Sequence, residues 1–309
     1  MNAFLFSGQG SQYIGMGKEL LTNYPEFSFI FDTASDILGF DLKKVTFEDD
    51  ESQLAKTVNT QPAIMATSLL CLNVAIKNEI SFDAVAGHSL GEYAAMVASE
   101  ILTLEEGFRV IKARAMAMDR AATESNGAMA AVLKLSAEKV EEICEKVNGY
   151  VVPVNYNSPV QTVIAGESRA VAVATERLTK EGARVMPLKV ASAFHSKLMQ
   201  SAADEFYAKI KNVNFKKPSK AFFSNVIGGE LTDFSDMPSL LAKHIVSPVK
   251  FTSELNSMAD FGIDTFIELG PNKVLTGLVK KTLPNAEAYN IENISTLNST
   301  LNMFYSEGR

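Results

Sequence analysis

The sequence of 309 residues predicts an α/β protein interrupted by a small inserted unit, and three observations carry that expectation. Gly87-His88-Ser89-Leu90-Gly91 lies between the apolar run Ala84-Val85-Ala86 and a helix-forming stretch from Glu92 to Ala98, giving a buried strand, a tight turn and a helix. Residues 128–188 read as strand, helix, strand, strand, helix, strand. Short apolar strands then resume at 221–224 and 265–269, each followed by glycine and turn residues.

Taken in order, Phe4-Leu5-Phe6 is a strand running into the loop Ser7-Gly8-Gln9-Gly10-Ser11-Gln12. Helical patterns cover 17–23 and 27–37. Residues 62–76 are apolar almost all round, which predicts a buried helix with Pro62 in its first turn. Thr103 caps a further helix whose first turn holds Glu105 and Glu106, the latter at the capping-box position; this helix carries Val110, Ile111 and Arg114.

The second unit opens with a strand at 128–133. Ser136 caps a helix through Val147, and strands 151–156 and 162–166 flank the turn Asn157-Ser158-Pro159. A helix over 168–181 and a strand over 183–188 complete a ferredoxin-like order. The predicted division is therefore a large unit from 1–126 and 191–309 and a small one from 127–190. Beyond Thr282 the chain is polar, with a short helix around 294–304.

Apolar residues make up 47% and charged residues 21%, a globular balance that excludes disorder. A net charge of −7 speaks against nucleic acid and anionic membranes as partners. Met1 is followed by Asn2-Ala3-Phe4-Leu5-Phe6, with no basic start and long apolar stretch, and no apolar segment reaches membrane-spanning length. Cys71 and Cys144 sit in helical apolar patterns and read as buried hydrophobes, not as a disulfide or metal site. A soluble cytoplasmic protein without a metal is the expectation.

The chemistry centres on Ser89. Its flanking glycines permit a turn too tight for side chains, which pushes the hydroxyl out of the sheet. The following helix points free N–H groups at any oxygen beside it. A serine hydroxyl needs a base, and the chain has three histidines. His88 adjoins Ser89, but neighbours in an elbow point apart, so it packs or bonds beneath the turn. His244 lies in Leu240-Leu241-Ala242-Lys243-His244-Ile245, the end of an amphipathic helix, which suggests a surface or capping role. His195 lies in a small-residue loop, Ala193-Phe194-His195-Ser196, just after the inserted unit, where a cleft base belongs; a satisfied loop histidine is the alternative. No acid advertises itself as a third member. Glu268 and Asp264 flank a strand and stay open, and a backbone carbonyl can also fix an imidazole tautomer.

Seven ordered motifs carry a resemblance over nearly the whole chain: Gly8-Gln9-Gly10-Ser11-Gln12, Thr60-Gln61-Pro62-Ala63, Gly87-His88-Ser89-Leu90-Gly91-Glu92-Tyr93, Arg114, Asn155-Tyr156-Asn157-Ser158-Pro159, Ala193-Phe194-His195-Ser196, and the run Glu268-Leu269-Gly270-Pro271-Asn272-Lys273-Val274-Leu275. Together they resemble the malonyl-CoA:acyl-carrier-protein transacylase family, which includes acyltransferase domains of polyketide synthases. The resemblance implies a hydrolase-like α/β domain with an inserted small ferredoxin-like subdomain. It makes Ser89 the nucleophile, His195 the base and the backbone N–H groups of Gln9 and Leu90 the oxyanion hole. Arg114 becomes the partner of the malonyl carboxylate, a role for which a guanidinium fork suits better than lysine. Gln61 and Asn157 line the pocket or hold its loops, and Phe194, with Leu90, accompanies malonyl over methylmalonyl selection.

The same resemblance gives the histidine-orienting carbonyl to the segment Ser247-Pro248-Val249-Lys250, assigned to Lys250, where a glutamine is usual. Ser7 stands where proline is common, implying a slightly looser oxyanion loop. No bound cofactor is implied. The substrates are malonyl-CoA and the phosphopantetheine thiol of an acyl carrier protein, the carrier is the macromolecular partner, and the enzyme is a monomer. A chain opening at Met1 and ending soon after the last motif reads as free-standing, and its 7–10 and 193–196 variants lean towards a polyketide synthase served in trans over fatty-acid synthesis. The rival readings are an acyl hydrolase of the same fold, an unrelated esterase and a catalytically dead carrier-docking module. Arg114 speaks against the first, the missing acid against the second, and the intact Ser89, His195 and Arg114 against the third.

Overall fold

The computed structural model describes residues 1–124, 126–188, 190 and 192–306. Among the described residues ten strands form two sheets: β1 Asn2–Phe6, β2 Ala84–Gly87, β3 Gly127–Leu133, β4 Val151–Ser158, β5 Gln161–Glu167, β6 Arg184–Pro187, β7 Ala221–Ser224, β8 Gly229–Glu230, β9 Thr265–Leu269 and β10 Glu287–Ile291. The first sheet has the order β10-β9-β1-β2-β7-β8, parallel except for β8, which pairs antiparallel with β7. Its central strands β2 and β9 are buried along their length, as parallel strands covered on both faces must be. The second sheet, β4-β5-β3-β6, is wholly antiparallel and holds the β-α-β-β-α-β order read from the sequence. The boundary placed at 190/191 falls at Ala191, outside the described residues.

The core rests on the helix Thr57–Lys77, buried on nearly every face and packed against the helix Leu104–Glu124. It starts five residues before Pro62, so that proline sits in the second turn and not in the first. The reciprocal capping box at the second helix is present: Glu106 N–H donates to Thr103 Oγ1 at 3.2 Å, and Thr103 N–H to Glu106 Oε2 at 2.9 Å. Strand β10 lies in the tail read as merely polar. An edge strand pairs on one side only, so Glu-Ala-Tyr-Asn-Ile shows little of the apolar pattern that marks a central strand. Helices Gln200–Ile210, Phe251–Asp260 and Val274–Thr282 also went unassigned in the sequence. Among the described residues no helix is long and apolar enough to cross a membrane.

Two features of this scaffold set up the site. The elbow between β2 and the helix Gly91–Ala98 is pressed against the end of β1: a Cβ on Gly91 would lie 2.0 Å from the Phe6 carbonyl oxygen, and one on Gly87 2.0 Å from the Gly91 carbonyl carbon. Only glycine fits at either place. Strand β4 of the small sheet, in turn, is stitched to the segment after the helix Met237–Val246 through Val249, whose N–H donates to Val154 O at 2.8 Å while its carbonyl accepts from Tyr156 N–H at 2.9 Å. That stitch fixes the loop that follows the helix Met237–Val246.

Candidate active site

Ser89 stands at the turn of the elbow with φ 54°, a left-handed conformation that an L-residue holds only when its surroundings enforce it. Its Oγ lies 2.8 Å from His195 Nε2. His195 is itself left-handed, with φ 61°, in a turn closed by Ser196 Oγ donating to Ala193 O. Its Nδ1 lies 2.9 Å from His244 O and 3.2 Å from Ser247 O. Both partners are acceptors, so the proton belongs on Nδ1 and the Nε2 lone pair faces the serine hydroxyl. Burial, with the Arg114 cation adding to it, pushes the His195 pKa down to about 3. The ring is neutral and ready to accept a proton.

The orienting carbonyls are therefore those of His244 and Ser247, and the assignment to Lys250 is corrected. Lys250 N–H donates to Asn225 O at 3.0 Å, and Lys250 precedes the helix Phe251–Asp260. The physical reason lies in the helix Met237–Val246, whose last-turn carbonyls have no intrahelical partner and are free to meet the imidazole. The same helix end carries partial negative charge, which favours the imidazolium that forms when His195 takes a proton. Neither open carboxylate reaches the site. Glu268 accepts from Ser7 Oγ and from the Thr276 N–H and hydroxyl, and Asp264 meets the N-terminal amine. Ser7 consequently ties the loop that carries Gln9 to β9 instead of loosening it.

Arg114, on the helix Leu104–Glu124, is fully buried. Its Nη2 donates to Ser89 Oγ at 3.1 Å, and its guanidinium carbon lies 5.2 Å from the centroid of the Tyr93 ring. Among the described residues Nε and Nη1 have no hydrogen-bond partner. A buried guanidinium with two idle nitrogens is costly unless a ligand completes it, and a planar carboxylate is the group that matches its fork.

A cleft of about 350 Å³ opens onto Ser89 and His195, lined among others by Gln9, Gly10, Met118, Asn155 and Phe194. The Gln9 loop is held there by Gly8, where an added Cβ would meet the His88 carbonyl oxygen at 2.6 Å. Leu90 occupies the N-cap of the helix Gly91–Ala98. Gln61 is buried beside the cleft, with Nε2 3.6 Å from Met118 Sδ. Asn157 is not on the cleft wall: its Oδ1 accepts from His88 Nε2 at 2.8 Å, and Asn155 takes the wall position. Irregular pairing between β4 and β5 on either side of Asn155 and Tyr156 breaks simple alternation, so spacing along the strand does not reveal which asparagine faces in.

Several residues around the site were missed in the sequence. Asn225 Oδ1 accepts the Ser89 N–H at 2.7 Å, and its Nδ2 donates to Gly87 O and Glu254 Oε2, both at 2.7 Å. His244, expected at the surface or in a capping role, is fully buried, with Nδ1 3.1 Å from Glu92 Oε2. The available signal was Glu92 itself, a carboxylic acid in the otherwise apolar segment Tyr93-Ala94-Ala95-Met96-Val97. Burial pushes the Glu92 carboxyl up to about 8, raises Glu254 well above its ordinary value and drops His244 well below its own.

Scaffold and site together define an α/β enzyme of the acyl-transferring class. The chain belongs to the acyl transferase domain family, whose model matches residues 3–303. It is 40% identical over 283 residues to the malonyl CoA-acyl carrier protein transacylase of Bacillus subtilis, covering 90% of this chain and 89% of that one. It is 37% identical to the Staphylococcus aureus protein of the same name, covering 90% and 91%. Among solved structures, the Clostridium perfringens malonyl CoA-acyl carrier protein transacylase superposes with a TM-score of 0.95 at 37% identity, covering 99% and 98%. A malonyl-transacylase solved with its type II polyketide synthase acyl-carrier protein superposes with a TM-score of 0.93 at 33% identity, covering 98% and 99%.

Proposed function

We propose that this chain transfers the malonyl group of malonyl-CoA to the phosphopantetheine thiol of an acyl carrier protein, through a malonyl ester on Ser89. The observation that carries the reading is the half-satisfied Arg114 beside the serine: one nitrogen bonds Ser89 Oγ and two buried nitrogens stand idle. A malonyl carboxylate on that fork brings its thioester carbonyl to the nucleophile.

In the first half-reaction His195 Nε2 takes the hydroxyl proton as Ser89 Oγ attacks the thioester carbonyl. The Gln9 and Leu90 N–H groups receive the oxyanion; the Ser89 N–H is already engaged by Asn225 and is not available for that role. Collapse of the intermediate breaks the C–S bond, and the proton passes from His195 to the departing CoA thiolate. In the second half the carrier thiol gives its proton to His195, attacks the ester and leaves Ser89 protonated again. Each proton has a protein group to hold it, and the scheme calls on no cofactor or metal. Phe194, on the cleft wall, disfavours a branched acyl group by volume. Two free, buried cysteines fit a reducing cytoplasm.

Intact-protein mass spectrometry tests the reading. Brief incubation with malonyl-CoA is expected to add one malonyl group at Ser89, which then moves to holo carrier protein, and Ser89→Ala is expected to take up none. Competition between a fatty-acid-type and a polyketide-type carrier reports which pathway is served. Release of free CoA without any adduct or transfer would make water the acceptor and refute the transferase.

A further inference from the structure

Behind the Ser89–His195 pair lies a closed circuit of buried contacts that the mechanism above does not use. From Ser89 it runs through the N–H to Asn225 Oδ1 at 2.7 Å, and from the Asn225 N–H to Glu92 Oε1. Glu92 Oε2 lies 3.1 Å from His244 Nδ1, and the His244 carbonyl accepts from His195 Nδ1 at 2.9 Å. His195 Nε2 returns to Ser89 Oγ at 2.8 Å. Glu92, Asn225 and His244 are all essentially without solvent contact. The members come from four separate parts of the chain: the elbow, the turn after β7, the helix Met237–Val246 and the loop after β6.

We infer that Glu92 is a positioning residue, whose one buried carboxyl joins the support of the nucleophile to the support of the base and so sets the distance between them. Resting on the Ser89–His195 reading above, the inference adds that two residues remote in sequence are aligned by a third that touches neither substrate nor reacting atoms. One carboxyl oxygen holds Asn225, which clamps the elbow on both sides through Ser89 N–H and Gly87 O. The other lies against the ring of His244 at 3.1 Å, and the His244 carbonyl meets the His195 imidazole. Releasing either end frees one partner of the Ser89–His195 contact, and misplacement of a reacting group by about 1 Å costs on the order of 10²-fold in rate.

The chemistry of the surroundings fixes the charge of the strut. Buried Glu254 stands across Asn225, the Arg114 guanidinium lies over the Tyr93 ring, and the His244 and His195 rings are tilted against each other at 5.3 Å between centroids. Desolvation disfavours both the Glu92 carboxylate and the His244 imidazolium, so the two meet as neutral groups in close contact, without a hydrogen bond between them. A primary amide repeats that pattern. Glutamine at this position accepts from Asn225 N–H and keeps a polar atom against the His244 ring.

The test compares E92Q, E92A and H244F by kcat and KM for malonyl transfer and by the rate at which a neutral fluorophosphonate labels Ser89. The labelling needs the serine and its base but not Arg114. E92A is expected to lose about 10²-fold in both kcat and labelling rate, with KM for malonyl-CoA changed less than about threefold. E92Q is expected to keep at least a third of both rates. H244F keeps the backbone carbonyl and the ring volume but not Nδ1, and is expected to lose about tenfold in labelling; it decides the matter if E92A does not fold. Wild-type rates in E92A or H244F, damage in E92Q equal to that in E92A, or a loss confined to KM would overturn the inference. Labelling of the wild-type protein at Ser89 is the control for the reading beneath it, and its failure would count against that reading and not against the strut.

Discussion

Arg114 Nη2 lies 3.1 Å from Ser89 Oγ, so the cation that would hold the acyl group's carboxylate also touches the atom that would attack its carbonyl. Binding and chemistry are thus within one side chain's span. Replacing Arg114 by Ala is expected to lower kcat/KM for malonyl-CoA by about 10²- to 10³-fold, as loss of a buried charge partner costs about 3–4 kcal/mol, while acetyl loading is spared or raised. Arg114→Lys is expected to recover little, because an ammonium is a point charge without the fork. Steady-state kinetics with the two thioesters check this, and equal losses for both would make Arg114 structural.

The His195–carbonyl arrangement gives an expectation for pH. Because the His195 pKa is held down to about 3, the base does not gain a proton near 6.5, and labelling of Ser89 by a neutral phosphonate is expected to stay flat from about pH 8 to pH 5. A labelling rate that halves near pH 6.5 would contradict it.

Stability responds to the same burial. An unfolded chain protonates its histidine near 6.5, whereas the folded protein refuses the proton on His195 until about 3. The contribution of His195 is therefore present above pH 6.5 and is lost as pH falls from there towards 3. His88 and His244, also lowered by burial, act in the same direction. Glu92 opposes them: the folded carboxyl keeps its proton to about 8 while the unfolded one releases it near 4.5, so its contribution is present below 4.5 and is lost as pH rises through 8. In His195→Gln the fall in Tm between about pH 6.5 and 4 is expected to be shallower than in the wild type. Calorimetry at a series of pH values checks this, and parallel curves would count against it.

Phe194 lines the cleft beside His195, where an α-methyl branch on the acyl group is expected to meet it. Phe194→Ala is expected to raise the methylmalonyl-to-malonyl loading ratio by about tenfold, within the 1–3 kcal/mol that one methyl commands. Mass spectrometry of competing thioesters gives the ratio directly, and an unchanged ratio would assign the selectivity elsewhere.

Ser7 donates to Glu268 Oε1 at 3.2 Å and so pins the loop that carries Gln9. Ser7→Ala is expected to lower kcat by about three- to tenfold, the scale of one hydrogen bond to a buried carboxyl, with little change in KM. A KM effect alone would mean that the loop serves binding and not the oxyanion.

The sequence by itself determined what local sterics and local hydrogen bonding control. Gly87 and Gly91 bracket a turn that admits no Cβ, Thr103 and Glu106 cap each other three residues apart, and the inserted unit declares its strand-helix order through caps and apolar periods. Ser89, His195 and Arg114 were legible because each stands out by residue type in its segment. Only the tertiary structure decided which groups meet across the chain. That His244 and Ser247, not Lys250, offer their carbonyls depends on where a helix ends relative to a distant loop. That Asn155 faces the cleft while Asn157 holds His88 depends on irregular strand pairing. Glu92, Asn225 and His244 form a circuit only because β2, β7 and the helix Met237–Val246 converge. Contacts between residues from 49 to 136 positions apart carry no period and no spacing in the sequence, and folding alone brings them within hydrogen-bond distance.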